Sequence, residues 1–400
     1  MRVLICGAGI AGLTLAWCLE RRGHEPLVVE RAPRLREEGY MIDFFGSGCD
    51  AAERLGLLPD LESIHYPIDR LAFVDQAGRE RFSVAYRPLR KHLFADRHFN
   101  FLRGELEHVL YRRFERRDTI RFGTTVASFE PAGAMHVGLS DGTAVAADLL
   151  VGADGVHSHV RQLAFGDAQQ CVHPLGYEMA AFLLDDPPAS APRDRFVTLT
   201  RPKRQVTTYP VRGGRTATFF LHTSDRTAEG VPSSESPCQA LRRIYGDLHW
   251  VVPDLLDRCR TARDPLFDAV EQIRMPRWSS GRVALVGDAC WCVSPLAGQG
   301  ASMAVAGAYV LAEELSEPGG IESALARYER RLRPAIERQQ RAGERMAKWF
   351  VPDTERRLAV RDAITRISAW PPVAAVLRRR MAVETVFAPA GADMKEPART

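Results

Sequence analysis

The chain reads as an α/β protein: a parallel sheet wound with helices on both faces, an inserted antiparallel sheet, and a C-terminal helix. Three observations carry this reading. An apolar strand, a glycine loop and a helix succeed one another at residues 3–12, and the same order returns at residues 283–300. Between them, residues 171–280 are dominated by strand-like segments with no strand–helix alternation until "PCQALRRIYG". Residues 321–348 are basic, amphipathic and helical in period, with Pro334 interrupting them.

Composition narrows the class. With 400 residues, 46% of them apolar and 26% charged, the chain has the make-up of an ordinary soluble enzyme. Its length predicts roughly two or three domains. Lys and Arg number 54 against 50 Asp and Glu, a balance that argues against a nucleic-acid partner. No apolar run reaches the ~20 residues of a membrane span. The N-terminus has no charged region before a cleavable site, so no secretory leader is expected. Eight cysteines at irregular spacing predict free thiols in a reducing cytoplasm rather than disulfides. Cys290 and Cys292 lack a second ligand pair, so they are read as fillers of tight space, and no metal site is expected.

The first entrance begins with "RVLIC", a short apolar run suited to a buried parallel strand. Gly7, Gly9 and Gly12 follow in G-x-G-x-x-G spacing. Residues 10–22 are helical in period and stop at Gly23, and "PLVVER" resumes as a second strand. The glycines permit a tight turn, a close approach to a pyrophosphate and a close helix–sheet contact, while the helix start offers free N–H groups. Glu30 ends the second strand near the ~20-residue interval at which a carboxylate meets a ribose 2′-hydroxyl. It would repel a 2′-phosphate, so this Rossmann-like corner predicts FAD or NAD over NADP. Gly7, Gly9, Ala11, Gly12, Glu30 and Arg31 are its candidate cofactor residues.

"GYMIDFFGSGCD", with Ile42 and Asp43, is either a surface loop or a flexible backbone that approaches a flat ring, and "AAERLGLLPDLESI" is helical. Residues 101–114 place Leu102, Leu106, Val109, Leu110 and Phe114 on one helical face. Arg103, near that helix's start, gains nothing from the dipole. It is either a solvated arginine or one positioned for a phosphate or a polyol oxygen. Alternating runs follow, with "SDGT" as a hairpin turn. A third strand-to-helix corner ends in Asp154-Gly155, either an Asx-type cap or a ligand site at the carboxyl end of a strand.

In residues 171–280, "YEMAAFLLDD", "RFVTLTRP", "RQVTTYPV" and "TATFFLHT" are strands, with Gly213-Gly214 as a turn. Tyr209 and His222 are candidate substrate-facing residues on this sheet, against the alternative that both are ordinary sheet residues. "TSDRTAEGVPSSESPC" has the composition of a loop. "RVALVGDA" then returns the chain to the parallel sheet, with Asp288 at its end. Pro295, Gly298, Gln299, Gly300 and Ala301 form a loop opening a small-residue helix. One pyrophosphate cannot occupy two helix starts. FAD can use both, with its pyrophosphate at one and its electron-accepting ring at the other.

As an ordered set, "GAGIAG" with Glu30, the Gly39…Ile42-Asp43 loop, Arg103, "GADGVHSHVR" and "GDACWCVSPLAGQG" resemble the FAD-dependent aromatic-hydroxylase family, the single-component flavoprotein monooxygenases. In form the chain is most like the two-domain members, tetracycline-inactivating monooxygenases among them. The resemblance implies tightly bound, non-covalent FAD. Glu30 and Arg103 would then serve its adenosine and phosphate side, Asp288 its ribityl chain, Pro295 to Gly300 its ring, and Asp154-Gly155 both FAD and nicotinamide. It implies NADPH or NADH as transient reductant and O2 as co-substrate. One oxygen atom would pass through a flavin C4a-hydroperoxide to an aromatic or polyketide-like small molecule. Ala301-Ser302, where many members have Met-Asn, and Ala304 and Gly307 further along depart from the family pattern. A non-oxidative use of FAD, such as a cyclisation, and a binding protein without turnover are the alternatives. The expected divisions are a cofactor domain at 1–170 and 281–320, including part of the substrate sheet near 65–100; a substrate sheet at 171–280; a helical segment at 321–387; and a loose tail at 388–400. A monomer or homodimer is expected.

Overall fold

The computed structural model describes residues 1–35, 39–94, 97–130, 135–166, 168–224, 235–262, 265–380 and 385–387. The expected tail at 388–400, and 225–234 of the expected loop, lie outside them. The N-terminal half runs β1 (Arg2–Cys6), α1 (Ile10–Glu20), β2 (Glu25–Glu30), β3 (Met41–Phe45), α2 (Ser47–Leu55), α3 (Leu58–Ile64), β4 (Arg70–Val74), β5 (Glu80–Ala85) and α4 (Tyr86–Phe94). It continues through β6 (His98–Leu102), α5 (Arg103–Arg113), β7 (Ile120–Phe122), β8 (Val126–Glu130), β9 (Met135–Leu139), β10 (Ala144–Ala147), β11 (Leu149–Gly152) and α6 (His159–Phe165). Then come β12 (Val172–Leu184), β13 (Phe196–Arg201), β14 (Arg204–Val211), β15 (Arg215–Thr223), α7 (Pro237–Tyr245), α8 (Val252–Arg258) and β16 (Leu266–Ile273). The chain closes with β17 (Ser279–Ser280), β18 (Val283–Leu285), α9 (Asp288–Trp291), α10 (Gly300–Ser316), α11 (Gly320–Phe350), α12 (Glu355–Arg366) and α13 (Pro371–Arg380).

The first sheet has the order β17-β18-β11-β1-β2-β7, parallel except for the short edge strand β17. Its central strands are unbroken apolar runs because both faces are covered: Val3, Leu4, Ile5, Val28, Val29, Leu150 and Ala284 are fully buried. The return at residue 283 thus lies one strand from β1, with β11 between them. Helix α1 is apolar all round and buried from Ile10 to Leu19, since it packs on the sheet and on α10 and α5.

The second sheet has the order β16-β12-β15-β14-β13-β4-β5. It is antiparallel except where β4 lies parallel to β13. Its two faces are distinct. Phe182, Leu199, Val206 and Phe220 face α7 and α8, packing on Leu241, Tyr245, Val252 and Leu255. Leu183, Tyr209, Val211 and Ala217 face the other way, onto Leu102 of β6.

Two expectations need correction. Cys238 and Cys259 form a disulfide, joining the start of α7 to the end of α8; the other six cysteines are free. Their spacing of 21 residues matches no disulfide framework, and only the folding of α7 against α8 brings the sulfurs together. The cysteine-based reason for a reducing compartment therefore falls. Second, Pro334 does not interrupt the C-terminal helix: α11 is continuous from Gly320 to Phe350. An interior proline costs roughly 3 kcal/mol. Core packing of Ala324, Leu325, Tyr328 and Leu332 before it, and of Ile336 after it, offsets that cost.

Candidate cofactor site

The first corner is built to leave its helix start open. Gly7 has φ +111°, and a Cβ there would lie 2.5 Å from the Ala153 carbonyl oxygen; one on Gly12 would lie 1.9 Å from that of Gly7. Only glycine lets β1, α1 and the third corner come this close. Helix α1 begins at Gly9 with no side-chain cap, and α10 begins at Gln299 likewise. By contrast, Ser158, Ser236 and Thr354 cap α6, α7 and α12 with their hydroxyls. A Cβ on Gly300 would meet nothing within 4 Å. Both helix starts lack a side-chain cap, the second faces open space and the first faces the Arg103 guanidinium, an arrangement that suits anionic or electron-rich ligand groups.

The corners are neighbours. A Cβ on Gly287 would stand 2.8 Å from the Cβ of Ala11, and α1 packs along α10. Glu30 reaches back to the first corner, its carboxylate accepting the N–H of Ala8 (2.7 Å) and of Ala32 (2.8 Å). Arg31 beside it is exposed. Arg103 lies over Gly9, its guanidinium paired to Glu107 at 3.1 Å. That pairing holds the guanidinium charged, and the fields of Asp288 and Glu30 add to it. So one arginine stands between the carboxylates of both corners. Asp288 is exposed, with enough protein around it to desolvate its carboxylate in part. That desolvation raises its carboxyl above the ordinary value, while Arg103 and the Cys292 thiol pull it down.

Ile42 and Asp43 lie in β3, paired to Phe101 and Asn100 of β6. The Asp43 carboxylate accepts from His98 Nε2 (2.9 Å) and Asn100 Nδ2 (2.7 Å). Its other oxygen would be 3.6 Å from a Cβ on Gly298, so Asp43 borders the loop of the second corner. Pro295 and Gly298 are partly open there, as are Gly300 and Ala301, while Gln299 is buried. The departures at the start of α10 have packing reasons: Ser302 Oγ accepts the Phe45 N–H (3.1 Å), and Gly307 leaves room for Trp291, 2.7 Å from where a Cβ would be.

Asp154 behaves as a cap. Its carboxylate accepts from Ser158 Oγ (2.5 Å) and from the N–H groups of His159 (2.7 Å) and Val160 (3.1 Å). Gly155 has φ +80° and open space around it. The two substrate-facing candidates part company. Tyr209 does lie on the sheet face turned toward β3 and β6, but it is 2% exposed. Its hydroxyl accepts the Met41 N–H (2.8 Å), and its ring stacks on Phe196. It anchors β3 beside Asp43. His222 is a correction: it lies on the opposite face, between Glu178 (3.0 Å) and Tyr245 (3.2 Å), with Phe267 nearby. Strand alternation sends Phe220 and His222 to the helix-covered side.

The same alternation shows which polar residues were missed. Thr198, Thr200, Gln205 and Thr207 share the face of Tyr209 and Leu221. Thr198 and Thr207 hydroxyls meet at 3.1 Å, Gln205 Nε2 donates to Thr207 Oγ1 (3.4 Å), and Thr200 Oγ1 donates to Gln205 Oε1 (3.3 Å). The signal was present as T-x-T and Q-x-T at period two in paired strands. Beside this network, Leu296 of the second-corner loop packs with Met179, Leu221 and Val351, flanked by Tyr40 and Phe219. The Tyr40 and Phe219 rings are 6.0 Å apart. Burial lifts the Tyr40 phenol to about 12, so it stays protonated at neutral pH.

Comparison with known proteins agrees with this geometry. Residues 1–342 match the family model described as "FAD binding domain". An uncharacterized protein of Mycobacterium tuberculosis, Rv1260, is 34% identical over 357 residues, covering 88% of this chain and 92% of that one. A flavin-dependent monooxygenase of Legionella longbeachae is 28% identical over 371 residues, covering 89% and 91%. The crystal structure of tetracycline destructase Tet(51) superimposes with a TM-score of 0.81 at 26% identity, covering 94% of this chain and 97% of that one. The chain belongs to the FAD binding domain family, and it is an FAD-dependent oxidoreductase of the flavoprotein monooxygenase type.

Proposed function

We propose that this enzyme transfers one oxygen atom from O2 to an aromatic or polyketide-like small molecule, drawing electrons from NADPH or NADH. The observation that supports it most is the sheet face beside the second corner. The loop before α10 packs its Leu296 against an apolar, aromatic sheet face carrying Met179, Leu221 and Phe219, with the Thr198–Thr207–Gln205 network beside it. A flat, largely apolar substrate with a few oxygen atoms fits such a face.

FAD supplies the redox chemistry: once reduced it activates O2 for transfer of a single oxygen atom. The residues present fit it. The Glu30 carboxylate would take the ribose hydroxyls, Arg103 and the start of α1 the phosphates, and Asp288 the polyol. The start of α10 and Gly298–Ala301 would face the ring, where its N–H groups favour negative charge. Asp43, held by His98 and Asn100, fixes β3 against that loop. The apolar face excludes water from the reacting atoms. Tyr40 contributes a protonated hydroxyl, and Gln205 and Thr207 orient the substrate's oxygens.

The test is direct. The purified protein is yellow and oxidises NADPH or NADH slowly; a substrate of this class accelerates both reductant and O2 consumption and gains one oxygen atom from 18O2. Product formed under nitrogen without reductant overturns the proposal in favour of non-oxidative chemistry. Gln205→Leu raises KM about two- to tenfold, the worth of one neutral hydrogen bond, without bleaching the flavin.

A further inference from the structure

We propose that the C-terminal helix pair, α12 and α13, docks on an anionic lipid surface. Helix α12 is inverted relative to a soluble helix. Arg356, Val360, Ala363, Ile367 and Trp370 follow one another at spacings of four and three residues, and all are exposed. Helical spacing puts the first three on one face of α12, while Ile367 is its C-cap and Trp370 lies in the turn before α13. Here Val360 is 59% exposed, Ile367 51% and Trp370 61%, and Val376 of α13 is 52% exposed. Among the described residues, only Leu163 joins them as an exposed large hydrophobic side chain, so four of the five lie within residues 360–376.

The opposite face of α12 buries Leu358 together with two charged side chains. Arg361 and Asp362 are 5% and 4% exposed. Arg361 Nε lies 3.0 Å from Asp362 Oδ1, and Arg81 reaches the same carboxylate at 3.0 Å. The Arg361 guanidinium covers Phe73, whose cross-strand neighbour is Thr198 of the polar sheet network. The inner side of α12 thus lies on the stacked Phe73 and Phe82 rings, with Arg361 over one and Arg366 over the other, while Val360 and Ala363 face outward.

Charge decides the occupant. Helices α12 and α13 together contain seven arginines and two acids: Asp362, which is buried, and Glu355, which pairs with Arg201. Arg356, Arg357, Arg366 and Arg378 are exposed on the same two helices. A second copy meeting this surface through a two-fold axis would set arginine against arginine. An anionic bilayer satisfies both parts: apolar side chains enter the acyl boundary, tryptophan sits at the headgroup level, and arginines meet phosphate. No helix among the described residues is long and apolar enough to cross a membrane, so the pair lies in the interface plane.

The experiment is flotation of the FAD-loaded protein with vesicles of phosphatidylcholine alone or with about 30% phosphatidylglycerol. Protein is expected to float with the anionic vesicles, to be released at about 0.5 M salt, and to stay down with the neutral ones. The double variant Ile367→Ser, Trp370→Ser should lose on the order of tenfold or more in partitioning while keeping its flavin absorbance and thermal midpoint. Arg356→Glu with Arg378→Glu should weaken the anionic binding alone. Three results overturn the proposal: no binding to anionic vesicles, a double variant that binds like the parent, or a wild-type dimer split by the double variant in protein that ignores vesicles.

Discussion

Glu30 illustrates how a single side chain ties local geometry to a ligand. Its two oxygens accept the Ala8 and Ala32 N–H groups, which shapes the first corner before any ligand arrives. Glu30→Ala removes two charge-assisted bonds, each worth roughly 1.5–3 kcal/mol, from the loop proposed to hold the cofactor. The expected result is FAD affinity weakened about ten- to a hundredfold, read by flavin fluorescence on dilution; unchanged affinity would detach this residue from the site. His65 gives a pH signature. Burial and the neighbouring Arg90, whose Nη1 is 3.2 Å from Nε2, lower its pKa from 6.5 to about 4. The folded protein therefore holds this ring neutral while the unfolded chain protonates it near 6.5. That contribution is present above pH 6.5 and is lost as pH falls toward 4. His65→Asn should flatten the decline in thermal midpoint over this window, and a curve parallel to wild type would refute the assignment.

At the scale of elements, α11 clamps the second corner to the second sheet. Gln340 Nε2 donates to the Ile273 carbonyl (2.8 Å), and Gln272 Nε2 donates to the Gln340 carbonyl (2.8 Å). Gly343 lets the helix touch the loop: a Cβ there would lie 2.8 Å from the Val293 carbonyl oxygen and 3.4 Å from Ala297. Glycine to alanine inside a helix ordinarily stabilises by about 1 kcal/mol. At this position the sign reverses, because the overpacking penalty is about 1–3 kcal/mol. Gly343→Ala should lower the thermal midpoint and loosen FAD, both readable by differential scanning with the flavin as probe. A rise in midpoint would show that the helix yields without disturbing the loop. Helix periodicity announced α11, but not that its small and amide residues form the contact, since Gly343 and Gln340 acquire meaning only from what lies opposite.

For the molecule as a whole, the Cys238–Cys259 bond closes a loop of 21 residues across α7 and α8, which cover one face of the second sheet. On the chain-entropy account, closing it stabilises by about 3 kcal/mol. Cys259→Ser should lower the urea midpoint accordingly, and reductant should shift wild type but not the variant. Equal midpoints with and without reductant would place the two sulfurs apart in solution. Because FAD binds the folded state alone, added cofactor raises the midpoint of apoprotein in every variant that keeps both corners.

The glycine spacing, the acid after the second strand and the returning strand at residue 283 were legible because each is a local requirement: a backbone near a phosphate or a helix needs glycine at fixed intervals. These features determined the fold class and the cofactor without a single contact being known. The faces of the second sheet were not legible in that way. His222 and Gln205 are both polar residues on apolar strands, and only the placement of α7 and α8 sends one to the rear and leaves the other facing the cofactor domain. Burial against a partner element, the approach of sequence-distant sulfurs and the outward turn of Ile367 and Trp370 are long-range outcomes. Tertiary packing decided them, because side-chain direction along a strand or helix has a period but no absolute sense until something covers one side.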